Sequence, residues 1–177
     1  MLDNVNDVDW AGKGHPNIPE LLSQLASNDR YKQAHARNQL ESDVVLGGEN
    51  WQDFDRGYGI ELVFQSDVII HLIPFLIELL DSDGVSNKSL IFTLLAGIHH
   101  YKNMHDEKEV YKERVIDVNN VLWSGREVYL KLLSDSDLKV RKGALSVLMG
   151  FDEPTQYSET YNLVARRFEP KIASDDS

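Results

Sequence analysis

Between Gly125 and Phe151 the apolar positions fall into two helical stripes separated by a short acidic break. Val128, Tyr129, Leu132 and Leu133 recur at the spacing of one helix face. Ser134-Asp135-Ser136-Asp137 follows, a run of side-chain oxygens able to accept from the unbonded N–H groups that open a helix. Val140, Ala144, Val147, Leu148 and Phe151 then line one face of a second helix, at steps of 4, 3, 1 and 3. The pattern predicts two amphipathic helices joined by a tight turn.

The same pattern is found twice more upstream. Asp83 lies 54 residues before Asp137, and Asp29 lies 54 residues before Asp83. Four positions before each Asp stands a leucine (Leu25, Leu79, Leu133), and seven before stands another (Leu22, Leu76, Leu130). Eight before, the residue is Leu21, Phe75 or Tyr129. Seven after, it is Ala36, Leu90 or Ala144, and eleven after, Leu40, Leu94 or Leu148. Self-similarity at a fixed period marks an architecture of repeated supersecondary units.

The stretch LLSDSDLKVRKGALSVLMGF (Leu132–Phe151) resembles the second half of a HEAT repeat: leucines, an acidic turn, Val-Arg, then a small residue before the closing leucines. IPELLSQLASND from Ile18 and IPFLIELLDSDG from Ile73 resemble its first helix and turn. The first copy carries Lys32-Gln33 where the third has Val140-Arg141, and the second has Gly84 and Ser86 around its turn. The 54-residue spacing exceeds the 40–47 residues of HEAT and armadillo units, so extra chain must separate the pairs. The resemblance implies an all-α fold, a short α-α superhelix (alpha solenoid) of about three HEAT-like or armadillo-like helix pairs. It also implies a surface for binding proteins.

Taken in order, the chain reads as one domain over 1–177, with repeat cores at 17–41, 68–98 and 125–151. Residues 1–16 are irregular, and Trp10 is expected to plug the open end of the stack, since a terminal unit otherwise exposes its apolar face. In the second helix of the first pair, Tyr31, Ala34 and Leu40 are the expected buried positions. Asp43–Asp67 interrupts the helical pattern with Gly47, Gly48, Gly57 and Gly59. Its aromatics, Trp51, Phe54, Tyr58 and Phe64, make it an inserted loop that either covers the stack or folds into the core. Val68–Leu80 and Asn87–Ile98 form the most apolar pair. Pro74 should start or kink the first of these helices, and Ser86-Asn87 should cap the second. Asp106–Trp123 is a third helix with a mixed-charge outer face. Asp152-Glu153-Pro154 opens a last helix over about 155–168, and 171–177 form a disordered tail.

Composition narrows the function. The chain has no cysteine, so no disulfide framework and no thiolate chemistry. MLDNVNDVDW lacks the basic start and apolar run of a secretory signal. The longest apolar run, Val68–Leu80, is too short for a membrane span, which gives an expected cytoplasmic location. With 29 Asp and Glu against 18 Lys and Arg, the net charge is −11. That disfavours nucleic acid, whose binding draws on cations set against phosphates, and favours a basic partner protein. His99, His100 and His105, with Asp106 and Glu107, are the one candidate metal cluster. His99 and His100 point to different sides of a helix, so polar helix-end residues are expected there rather than a metal. No cofactor is expected.

The paired carboxylates Asp53/Asp55, Asp81/Asp83 and Asp135/Asp137 sit where turns are expected, in water, and lack the burial that acid–base catalysis uses to tune a carboxyl group. The expected function is a non-catalytic protein–protein interaction module, with Trp51, Phe54, Asp55 and Tyr58 of the inserted loop as contact residues. The alternatives are an immunity-type inhibitor of a basic toxin or an enzyme such as a bilin lyase, an activity found in some HEAT-like families. Leu94→Asp and Leu148→Asp should each unfold a helix pair, because a buried unpaired carboxylate costs several kcal/mol. Circular dichroism should show loss of helix at 25 °C in both variants.

Overall fold

The computed structural model describes residues 2–45, 68–103 and 112–151. Among these the protein is all-helical, with seven α-helices and no strand. They are α1 (Ile18–Ala26), α2 (Arg30–Leu40), α3 (Val68–Asp81), α4 (Lys88–Asn103), α5 (Lys112–Ser124), α6 (Arg126–Leu132) and α7 (Leu138–Met149). A π-helical turn, Glu41–Val45, continues α2 and buries Val44 and Val45. The proposed contact residues Trp51, Phe54, Asp55 and Tyr58 lie outside the described residues. So do His105, Asp106 and Glu107, the last helix and the tail.

The helices pack as three antiparallel neighbours in sequence: α1 on α2, α3 on α4, α6 on α7. First helices touch first helices, α1 to α3 and α3 to α6. Second helices touch second helices, α2 to α4 and α4 to α7. The intervening α5 packs on α3, α4 and α6. One continuous apolar core runs through all of them, from Ile18 and Leu22 through Leu72, Leu76 and Ile91 to Val140 and Leu148.

Local chemistry accounts for the helix starts. Pro19 stands in the first turn of α1, where no N–H is needed. Asp29 Oδ1 accepts from the N–H groups of Tyr31 (2.9 Å) and Lys32 (3.2 Å), and Asp137 Oδ1 accepts from that of Lys139 (2.8 Å). The middle pair departs from the 54-residue spacing: its second helix starts at Lys88, five residues after Asp83. Asp83-Gly84-Val85-Ser86 thus delays the start of the second helix by four residues relative to the other two copies, about one helical turn. Counted from the residue before each second helix (Asp29, Asn87, Asp137), the seventh positions are Ala36, Leu94 and Ala144 and the eleventh are Leu40, Ile98 and Leu148. All six are buried.

Helix α3 runs through Pro74 rather than starting there, with the proline ring on an exposed face. Trp10 is buried, packed on Phe75 (ring centroids 6.0 Å) and donating from Nε1 to the Val5 carbonyl (2.6 Å). In α2 the buried set is Gln33, Ala36 and Leu40. Tyr31, expected inside, is 90% exposed, and Ala34 is exposed too. The helix is rotated relative to the expectation because Gln33 turns inward to serve the preceding turn.

The third pair is locked to the middle one by two aromatic rings set against two glycines. Tyr129, fully buried, donates from its phenol to the Leu122 carbonyl (3.1 Å). It lies on Gly125, where a Cβ would stand 2.5 Å from the phenolic oxygen and 2.8 Å from Ile77 Cδ1. Its edge meets Phe92 (6.1 Å between centroids), and Phe92 lies on Gly143, where a Cβ would stand 2.5 Å from Phe92 Cβ. Only hydrogen at both positions lets the helices approach this closely.

Burial pushes the Tyr129 phenol well above its ordinary value of 10.0. A raised folded value means that stability is fully present below the unfolded value and is lost as pH rises past it. The protein should therefore lose stability progressively above about pH 10. Tyr129→Phe should lower stability at pH 7 by about 1–2 kcal/mol, from the lost bond to the Leu122 carbonyl, and should flatten the alkaline decline. Urea unfolding at pH 7 to 11 tests both.

Candidate functional site

An open groove of about 540 Å³ lies between α4 and α7, lined by Ser89, Phe92, Thr93 and Ala96 on one wall and Lys139, Lys142, Gly143 and Ser146 on the other. The two walls use identical helix positions. Ser89, Phe92, Thr93 and Ala96 stand two, five, six and nine residues after Asn87, and Lys139, Lys142, Gly143 and Ser146 stand two, five, six and nine after Asp137. The same offsets from Asp29 give Tyr31, Ala34, His35 and Asn38, all exposed on α2, the helix that packs on the far side of α4. Equivalent faces of three neighbouring second helices thus look outward in the same register.

The floor of the groove is firm. Phe92 is held between Tyr129 and Gly143, and its ring is almost wholly buried. On the α4 wall the hydroxyls are already engaged: Thr93 Oγ1 donates to the Ser89 carbonyl (2.9 Å) and Ser89 Oγ to Asn87 Oδ1 (2.7 Å). Gly143, Ala96 and Ser146 keep the groove shallow-walled and let another backbone come close.

Charge is segregated between the two helix layers. The second helices α2, α4 and α7 contain eight Lys and Arg and no Asp or Glu, in a chain whose net charge is −11. Among the described residues, carboxylates sit on first helices (Glu20, Glu78, Glu127), on α5 (Glu113, Asp117), on the π-helical turn after α2 (Glu41, Asp43) and on the inter-helix turns, where Asp29 and Asp137 cap second helices. Negative charge at a helix N-terminus is favoured by the unpaired N–H groups there. Between the first helices of the middle and third pairs, Lys131 Nζ donates to Asp81 Oδ1 (2.8 Å). Each group's hydrogen bond to the other holds the Asp81 carboxyl below the usual range and the Lys131 ammonium above it.

Side chains at the fourth position of two second helices reach back to seal the turns. Gln33 Nε2 donates to the carbonyls of Ser27 (2.6 Å) and Leu25 (3.3 Å), and to Ser86 Oγ of the next pair (3.2 Å). Arg141, four residues after Asp137, donates from Nη1 to the carbonyls of Asp135 (2.6 Å) and Ser136 (3.1 Å). Gln33 and Arg141, the second residues of the Lys-Gln and Val-Arg dipeptides, therefore do the same job, while Lys32 is exposed and Val140 is buried. In the middle pair Ile91 stands at this position and is buried.

At the far end, His99 is buried against Phe151 (5.7 Å) and Gly150, and Phe151 meets Trp123 (5.3 Å), over which the Arg126 guanidinium lies 5.4 Å from the ring centroid. His99 is thus a packed residue among aromatic rings rather than a polar helix end. Among the described residues, no three His, Asp or Glu side chains gather in a way that could hold a metal, and no helix is long and apolar enough to cross a membrane.

Comparison with known protein families, with characterised proteins and with solved structures returns no match to this chain.

The sequence pattern did not reveal the groove because Tyr31, which marks the same face on α2, reads as a core residue by its apolar bulk, whereas it is exposed. The signal that exposes it is the total absence of acids from three particular helices, visible once their limits are known. Gln33→Leu should strand the Ser27 carbonyl and lower stability by about 1–3 kcal/mol. Urea titration, with unchanged helix content in the native baseline, measures it.

Proposed function

We propose that this protein is a non-catalytic interaction module, a short α-α superhelix of HEAT-like pairs that binds a partner protein across the outward face of its second helices, in the cytoplasm. The observation that carries this reading is the use of the same four helix positions on both walls of one groove, continued on α2. Repeated units stacked in register make an extended surface that suits a segment of another chain. The shared turn-sealing role of Gln33 and Arg141 supports the kinship of the first and third pairs. The engaged hydroxyls of Ser89 and Thr93 suit a surface that holds rather than reacts.

A photo-crosslinking amino acid at Thr93, on the second-helix face, should capture a defined protein partner in cells. The same residue at Glu127, exposed on the first-helix side, should not. Equal capture at both positions, or capture only at Glu127, would remove the second-helix face from the proposal.

A further inference from the structure

We infer that the groove between α4 and α7 takes a short acidic segment of a partner protein, with carboxylates set against Lys139 and Lys142. The inference rests on the interaction-module reading and adds the chemistry of the occupant. The expectation of a basic partner came from the net charge of −11, whereas the groove has the opposite local sign. None of its eight lining residues is acidic and two are lysines. None of the three helices that build the wider face carries an Asp or Glu.

Dimensions favour a short segment. Each wall spans eight residues from first lining position to last, seven rises of 1.5 Å or about 10 Å. Three residues of extended chain cover that length. Lys139 and Lys142 are three apart on one helix, so their Cβ atoms stand roughly 5–6 Å from each other. Side chains two apart on an extended strand share a face at about 6.5 Å, so an acid-x-acid segment matches the lysine pair. Its backbone can lie close over Ala96 and Gly143, which offer little or no side chain, with a small apolar residue against the edge of Phe92.

The surroundings disfavour a nucleic acid. Polyanion affinity accumulates over many phosphate contacts, and here the cationic stretch is brief. Beyond it, the turn edge presents Asp29, Asp83, Asp135 and Asp137, all exposed or half-buried. A long phosphate backbone crossing the helix layer would run into these carboxylates, whereas a segment confined to the groove meets only the lysines.

Fluorescence anisotropy on the full-length protein tests the idea with three labelled probes: a ten-residue peptide of alternating Asp and Leu, the same peptide with Lys for Asp, and a twelve-nucleotide single-stranded DNA. The acidic peptide should bind best, and binding should fade between 50 and 500 mM salt. The double variant Lys139→Glu/Lys142→Glu should weaken it by about tenfold or more. Lys32→Glu, an equal type of charge change on α2 outside the groove, should alter it less than about twofold by comparison. Both variants lie at exposed positions and should melt within a few degrees of the parent. Preference for the Lys peptide, tighter binding of DNA, equal loss with Lys32→Glu, or binding of no probe would each overturn the inference. If that happened while crosslinking from Thr93 still captured a partner, the interaction-module reading would stand and only the acidic character of the occupant would fall.

Discussion

The third helix pair depends on one stack of contacts: Gly125, Tyr129, Phe92, Gly143. Two bulky rings occupy the seam between pairs, and a missing side chain on each outer side gives them room. The phenol is buried in this seam, and its bond to the Leu122 carbonyl lets a group that would otherwise suffer from burial remain there. Helix α6 is short, only seven residues, and would hold little on its own. It is kept in place because Tyr129 ties it to α4 and to the end of α5, while Gly125 at its start sits against Ile77 of α3. The position of α7, and hence of the groove, follows from that anchor.

Much of the architecture was legible in the apolar pattern, because amphipathic helices announce themselves at a period near 3.6. The middle register was not. Leucines three and four residues apart satisfy the same columns after a shift of one helical turn, so Leu90 and Leu94 matched where Leu94 and Ile98 stand in space. The turn that caused the shift contains ordinary turn residues and leaves no mark on the periodicity. The rotation of α2 was equally hidden. A glutamine does not look like a core residue, and Gln33 is inside for its hydrogen bonds rather than for its apolar surface. Its inward turn carries Tyr31 outward.

Net charge describes a different level of the molecule. A sum over the chain treats it as a point, while among the described residues the three second helices carry bases and no acids. The acids have a structural motive where they stand: capping carboxylates at Asp29 and Asp137 belong at helix starts, and the Asp81–Lys131 pair joins neighbouring first helices. The candidate contacts in the inserted segment, Trp51, Phe54, Asp55 and Tyr58, lie outside the described residues, and the groove between α4 and α7 is a separate surface.

Phe92 and Gly143 belong at once to the core and to the groove floor. Any larger side chain at residue 143 would meet the ring beneath it while also filling the space above. The depth of the groove is therefore tied to the integrity of the fold, and the two cannot drift apart as the sequence changes. The rim is under no such tie: Lys139, Lys142, Ser146 and Thr93 stand in solvent, held by no core contact. Related chains would be expected to keep a constant trough while varying its edge, so that one scaffold acquires new partners by exchanging only the residues that touch water.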